Sequence, residues 1–474
     1  MERMPLNFIA NAHVPSASGR TLPVIDPSDG QAFDEIQRSN ARDVDDAVSA
    51  ARDGFDGVWQ KVAAAERGRL LRQWSGAITQ HAAELVALVQ RDAGRPRRRA
   101  EAEVAALAAR LASLAGVCEA PPGQPAPERP GYRVQTWREP HGVTVHLLPG
   151  HDPLRIFGQD VGAALAAGNV CVVKPAEEAS LALLRVGELA ARAGFPVGTL
   201  NIVTGHDQEV GEALARHAQV DHISLTGSAS LATLVQQAAA ERHCPVTVAL
   251  GGARPQIVFA DADLDAAVPA IVRGVLHCAG HHRLTGARLL VEAPVYEPLL
   301  ERLADAFEAL RVGPALGGLD MGPLVRQSEQ QQVWDYLSDV QVAGIAMVAE
   351  GVVVDDAPET GFYQAPTLLR DVPLAQALAL EEVPGPVLAA SVFETEAEAV
   401  SLANASPNVL AVHAWTTDEA RPMRLARRLR CANVTVNDPD GDGLDGAALT
   451  PAMDDVAASV QAFTTRKTVL VRSR

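Results

Sequence analysis

Between Leu276 and Val291 the chain reads LHCAGHHRLTGARLLV, which sets His277, Cys278, His281, His282 and Arg283 inside one apolar passage. His277 and His281 stand one helical turn apart, a spacing that presents two imidazoles to a metal ion from one face. No carboxylate or third ligand stands at a supporting spacing, so ordinary histidines and no metal site are expected. Cys278 reads as a buried helix residue rather than a reactive thiolate. Arg283 is no nucleophile, because its guanidinium keeps its proton at any working pH.

Lys174 follows the apolar run VCVV, and Glu177 and Glu178 open the next helix. An ammonium and a carboxylate so placed can hold the two hydroxyls of a ribose, although acids at a helix start also complement its dipole. Gly227 and Ser228 end the run HISLTG and begin another helix, where backbone N–H groups and a hydroxyl suit a pyrophosphate or form an ordinary cap. Asp438, Asp440, Asp442 and Gly443 imitate a calcium loop, but Leu449 stands where a bidentate Glu is needed, so an acidic turn is expected. Arg95, Arg97, Arg98 and Arg99, followed by Glu101 and Glu103, read as a solvated helix start.

The elements that must position these groups follow from periodicity. Short apolar runs among Gly, Ser and Pro after Asn7 predict two or three strands, and Ala, Leu and Val at spacings of three and four predict helices over 43–91 and 97–115. The proline-rich segment 120–130 leads into YRVQTWREP, which alternates like an exposed strand. From Gly142 to Gly252, VTVHLLP, VCVVKP, TLNIVTG, HISLTG and PVTVALGG alternate with helices, the pattern of a parallel sheet with crossovers. A second block of this kind starts at Pro255 and includes a helix over 264–278 and another over 296–311. The last residues, TTRKTVLVR, return to strand character.

A chain of 474 residues is long for one core, so more than one domain is expected. The net charge of -17 argues against binding nucleic acid through phosphates. Five cysteines, far apart and without a CxxC, predict neither a disulfide framework nor a zinc ribbon and fit a reducing cytoplasm. No apolar run suggests export or a membrane span.

The ordered phrases EPHGVTVHLLP, AAGNVCVVKPAEE, AGFPVGTLNIVTG, LTGS, ALGGARPQIVFADADLD, AGHHRLTGARLLV and EEVPGPVL resemble the aldehyde dehydrogenase superfamily over most of the chain. The resemblance implies two Rossmann-like parallel-sheet domains and a small oligomerisation sheet. The expected division is a nucleotide-binding domain over 1–124 and 141–251, a catalytic-type domain over 252–440, and a bridging sheet over 125–140 and 459–474. It also implies NAD as cofactor, bound by Lys174, Glu177, Gly227, Ser228 and Glu382, with Leu225 and Pro384 standing where the family has aromatic residues. The carboxylate of Glu177 disfavours a 2′-phosphate, hence NAD rather than NADP.

At the catalytic positions the resemblance breaks. Arg283 falls on the family's nucleophilic cysteine, Ala249 on its general base and His151 on its oxyanion-stabilising asparagine. A methyl group neither takes a proton nor orients water, whereas an imidazole still donates one hydrogen bond. Two readings follow. One is a pseudoenzyme that binds NAD and forms a homo-oligomer, dimer or tetramer, or a mixed complex with an active homologue. The other is an NAD-dependent oxidoreductase acting on an aldehyde by a non-standard route with His281 or His282 as base.

Overall fold

In the computed structural model, which describes residues 5–118, 132–252, 254–280, 287–381, 383–406, 409–438 and 456–472, two seven-stranded sheets each carry their own core. The first runs, in spatial order, Val246–Leu250, His222–Gly227, Val143–Leu148, Val170–Pro175, Leu200–Ile202, Asn7–Ile9 and Ala12–Val14. Its first five strands are parallel and its last two form an antiparallel edge. Val143–Leu148 and Val170–Pro175 are buried at every position, as strands covered by helices on both faces must be.

From the central Val143–Leu148 strand the chain adds strands first on one side and then on the other. Such a reversal opens a crevice at the carboxyl ends of the strands, because the crossover helices leave in opposite directions there. The second sheet is likewise parallel except for its Met347–Glu350 edge. A separate antiparallel ribbon pairs Tyr132–Pro140 with Thr464–Arg472, the small extra sheet the sequence leads one to expect.

Two local expectations are corrected. The helix expected over 264–278 stops at Leu276, and Cys278 (φ 51°) and Ala279 (φ 54°) turn left-handed. Gly280, with φ 80°, follows them where a Cβ would lie 2.1 Å from the Gly385 carbonyl carbon, so glycine alone fits there. Arg95, expected in a solvated basic run, is 3% exposed. Arg97, which starts the next helix, does lie in solvent, paired with Glu101 at 2.8 Å. The acidic turn from Asp440 to Leu449 lies outside the described residues. Among the described residues no helix is long and apolar enough to cross a membrane.

Candidate functional site

The crevice at the switch point is a cleft of about 520 Å³ lined by Leu147 and Leu148 of the central strand, Lys174 of the next, and Thr226, Gly227 and Ser228 of the neighbour on the other side. Ser228 accepts the Leu231 N–H at 3.3 Å and caps the helix Ala229–Ala240, whose first turn faces the cleft through Ser230 and Leu231. A capped helix start with a hydroxyl at its mouth is a ready site for a phosphate group.

The charged groups of the cleft are paired across it. Lys174, 1% exposed, places its ammonium on the Asp207 carboxylate, and His206 Nδ1 lies 2.8 Å from Glu177 Oε1. Arg326, from the segment that precedes the helix Gln327–Val342, reaches over to Glu178 at 2.7 Å and to Asp207 at 3.8 Å. Burial raises the Glu178 carboxyl above its usual range despite the pull of that guanidinium. An ammonium has three donors, so Lys174 retains donors for a cofactor hydroxyl beside its bond to Asp207. The donor set therefore fits a ribose at Lys174 and Glu177 and a pyrophosphate at Ser228.

Of the residues singled out from sequence, Lys174, Glu177, Gly227, Ser228 and His151 meet on this cleft. Ala249 lies on the edge strand with Thr226 as its register partner, next to the rim. Leu225 is buried in the sheet, where it fills the core instead of offering a surface to a ligand. Arg283, His281, His282 and Glu382 lie outside the described residues. Among the described residues the lining of the cleft contains no cysteine.

A second group was not legible in the sequence. Asp152, which follows the cleft residue His151, holds His277 Nε2 at 3.2 Å with one carboxylate oxygen and the Cys278 thiol at 3.2 Å with the other. Asp152 is itself left-handed, with φ 46°. Burial opposes a charge on His277, yet its sulfur and carboxylate neighbours raise its pKa to about 10, while burial keeps the Cys278 thiol above its ordinary range. Cys278 is thus buried as expected, but on a turn. The only sequence signal was an Asp just before Pro153, a helix-start pattern that says nothing of a partner 125 residues away.

The chain belongs to the aldehyde dehydrogenase family, whose model matches residues 13–448. It is 35% identical over 440 residues to a hydroxyisobutyraldehyde dehydrogenase of Mycolicibacterium austroafricanum, covering 92% of this chain and 87% of that one. A putative aldehyde dehydrogenase from Burkholderia cenocepacia superposes with a TM-score of 0.96 at 52% identity, over 99% of this chain and 100% of that one. Betaine aldehyde dehydrogenase of Staphylococcus aureus in complex with NAD+ superposes at 0.93 with 26% identity, over 100% and 95%. The fold expected from the resemblance is therefore the fold observed.

Proposed function

We propose that this family member binds NAD in the switch-point cleft and does not turn over aldehydes by the thiol route, acting instead as a regulatory or assembly partner. The observation that supports the reading is Ala249, in register with the cleft residue Thr226 and on the position where the family carries the base that activates water. Arg283, on the nucleophile position of the sequence, cannot form a thiohemiacetal.

NAD, when bound, supplies a hydride acceptor. Lys174 and Glu177 hold its adenosine ribose, and the Ser228 hydroxyl with the start of the helix Ala229–Ala240 takes the pyrophosphate. Glu382 matches the residue that holds the second ribose. Leu225 and Pro384, in place of aromatic residues, weaken the fit. The homo-oligomeric state and a cytoplasmic location belong to the same reading.

The dehydrogenase names of its relatives favour the second reading, an NAD-dependent oxidoreductase acting on an aldehyde by another route. Calorimetric titration with NAD, followed by NADH production from short, long and aromatic aldehydes, separates the two. Binding without turnover is expected. Steady turnover refutes the pseudoenzyme reading, and no heat or thermal shift at millimolar NAD refutes the cofactor.

A further inference from the structure

The cluster formed by Asp152, His277 and Cys278 lies beside a cavity of about 370 Å³ that also reaches Arg95 and Glu103. We propose that Asp152, His277 and Cys278 form a binding site for a borderline divalent cation, zinc by its donor set. They would offer one carboxylate oxygen, one imidazole nitrogen and one thiolate sulfur, leaving a fourth position open to this cavity. The inference goes beyond the nucleotide cleft and stands whether or not that cleft is filled.

Geometry is the first support. The three donor atoms lie within 4.8 Å of one another, with His277 Nε2 and Cys278 Sγ each 3.2 Å from an oxygen of Asp152. Tetrahedral zinc, with bonds of about 2.0–2.2 Å to nitrogen or oxygen and about 2.3 Å to sulfur, sets its ligand atoms roughly 3.3–3.6 Å apart. The side chains thus need only small adjustments to enclose an ion. A mixed nitrogen, sulfur and oxygen set selects zinc over the hard cations magnesium and calcium, which require oxygen ligands.

The backbone gives the second support. Asp152, Cys278 and Ala279 all adopt left-handed φ values, with no glycine among them. Such residues are strained and concentrate at ligand clamps, where the surroundings hold side chains in one direction. Here both carriers are fixed. Asp152 begins the helix Pro153–Ala167, whose Leu154 N–H is held by Glu103 at 2.8 Å, and His277 closes the helix Leu264–Leu276.

Charge is the third. Arg95 faces the same cavity with Nε and Nη2 unpartnered, and a guanidinium beside a dication is unfavourable unless acids offset both. Asp152 and a Cys278 thiolate carry the two negative charges that a dication requires, and Glu103 lines the same cavity as Arg95. Zinc binds a thiolate and a neutral imidazole, so its affinity is expected to rise with pH. The ordinary alternative is a buried ion pair with a thiol hydrogen bond, and it predicts no ion.

The test uses the full chain after chelator treatment. Zinc is titrated against a chromophoric chelator, cobalt is added to a second sample, and the zinc-loaded protein is measured by X-ray absorption. One ion per chain, a thiolate-to-cobalt charge-transfer band and a zinc shell with one sulfur are expected. Cys278→Ser and His277→Gln should each weaken zinc by more than about 100-fold, beyond the 10- to 100-fold typical of outer partners, while Cys431→Ser leaves it unchanged. Should either variant fail to fold, wild-type protein decides through alkylation mapped by mass spectrometry, in which zinc protects Cys278 and not Cys431. No zinc binding at micromolar concentration, a metal shell without sulfur, or unchanged affinity in a folded Cys278→Ser protein overturns the site.

Discussion

Lys174, buried on the wall of the switch-point cleft, is paired with the carboxylate of Asp207 on the helix Asp207–Arg216. The pair keeps a cation in place in a site built for an anionic nucleotide, so its two members are expected to fail differently. Lys174→Met should weaken NAD by at least tenfold, read by calorimetry. Asp207→Asn should instead cost stability, about 1.5–3 kcal/mol for a hydrogen bond to a charged group, read by urea unfolding. A loss of NAD affinity with no loss of stability in the Asp207 variant would mean that the carboxylate also meets the cofactor.

Arg283→Cys alone is expected to give at most a slow burst of NADH. A positioned base is typically worth about 10²- to 10⁴-fold, and an oxyanion donor about 10²- to 10³-fold. Release of an acyl group therefore still fails at Ala249. The triple change that adds Ala249→Glu and His151→Asn is the variant expected to reach multiple turnover, measured by steady-state NADH absorbance.

Burial drives His146 down to about 3, and burial with the neighbouring His141 drives His222 to about 4. Unfolded, each takes up a proton near pH 6.5, so from about pH 6 to 4 the unfolded chain binds more protons and stability falls with falling pH, by about 1.4 kcal/mol per pH unit for each histidine. Glu103, which burial raises to about 7, has the opposite sign, losing its contribution as pH rises through about 4.5 to 7. His146→Gln should flatten the acid limb by one histidine's share. Urea midpoints at a series of pH values check it, and an unchanged limb would show that His146 is charged in the native state.

How much of this was legible in sequence depends on how far apart the partners stand. Parallel strands announced themselves because they are short apolar runs with their own composition. Lys174, Glu177 and Ser228 were readable for the same reason, since each sits at the end of such a run. The left-handed turn at Cys278 was not, because a local sequence carries no record that Gly280 packs against Gly385 across the fold. Nor was the burial of Arg95, since a local charge pattern carries no record of what packs over it.

That turn makes its own prediction. Ala279 is left-handed, a conformation that costs an L residue roughly 1–2 kcal/mol. Ala279→Gly is therefore expected to be neutral or to stabilise by up to about 1 kcal/mol. Gly280→Ala should destabilise severely, because the added methyl would overlap Gly385. Thermal midpoints of the two variants should move in opposite directions or, at the least, differ by several degrees.

The ribbon of Tyr132–Pro140 and Thr464–Arg472 leaves Trp137 49% and Leu470 47% exposed. Two strands alone offer unpaired edges and little core of their own, so a second copy of the chain is expected to cover them. Light scattering at micromolar concentration should report a dimer or tetramer, and Trp137→Glu should shift it toward monomer. A monomeric wild-type mass would remove the homo-oligomer from the proposed function.

His151 lines the nucleotide cleft and Asp152 lines the second cavity, so one peptide bond has a side chain in each. Any occupant that shifts this bond is felt in both places. Linkage then requires reciprocity: a ligand of one cavity that changes affinity in the other by some factor has its own affinity changed by the same factor.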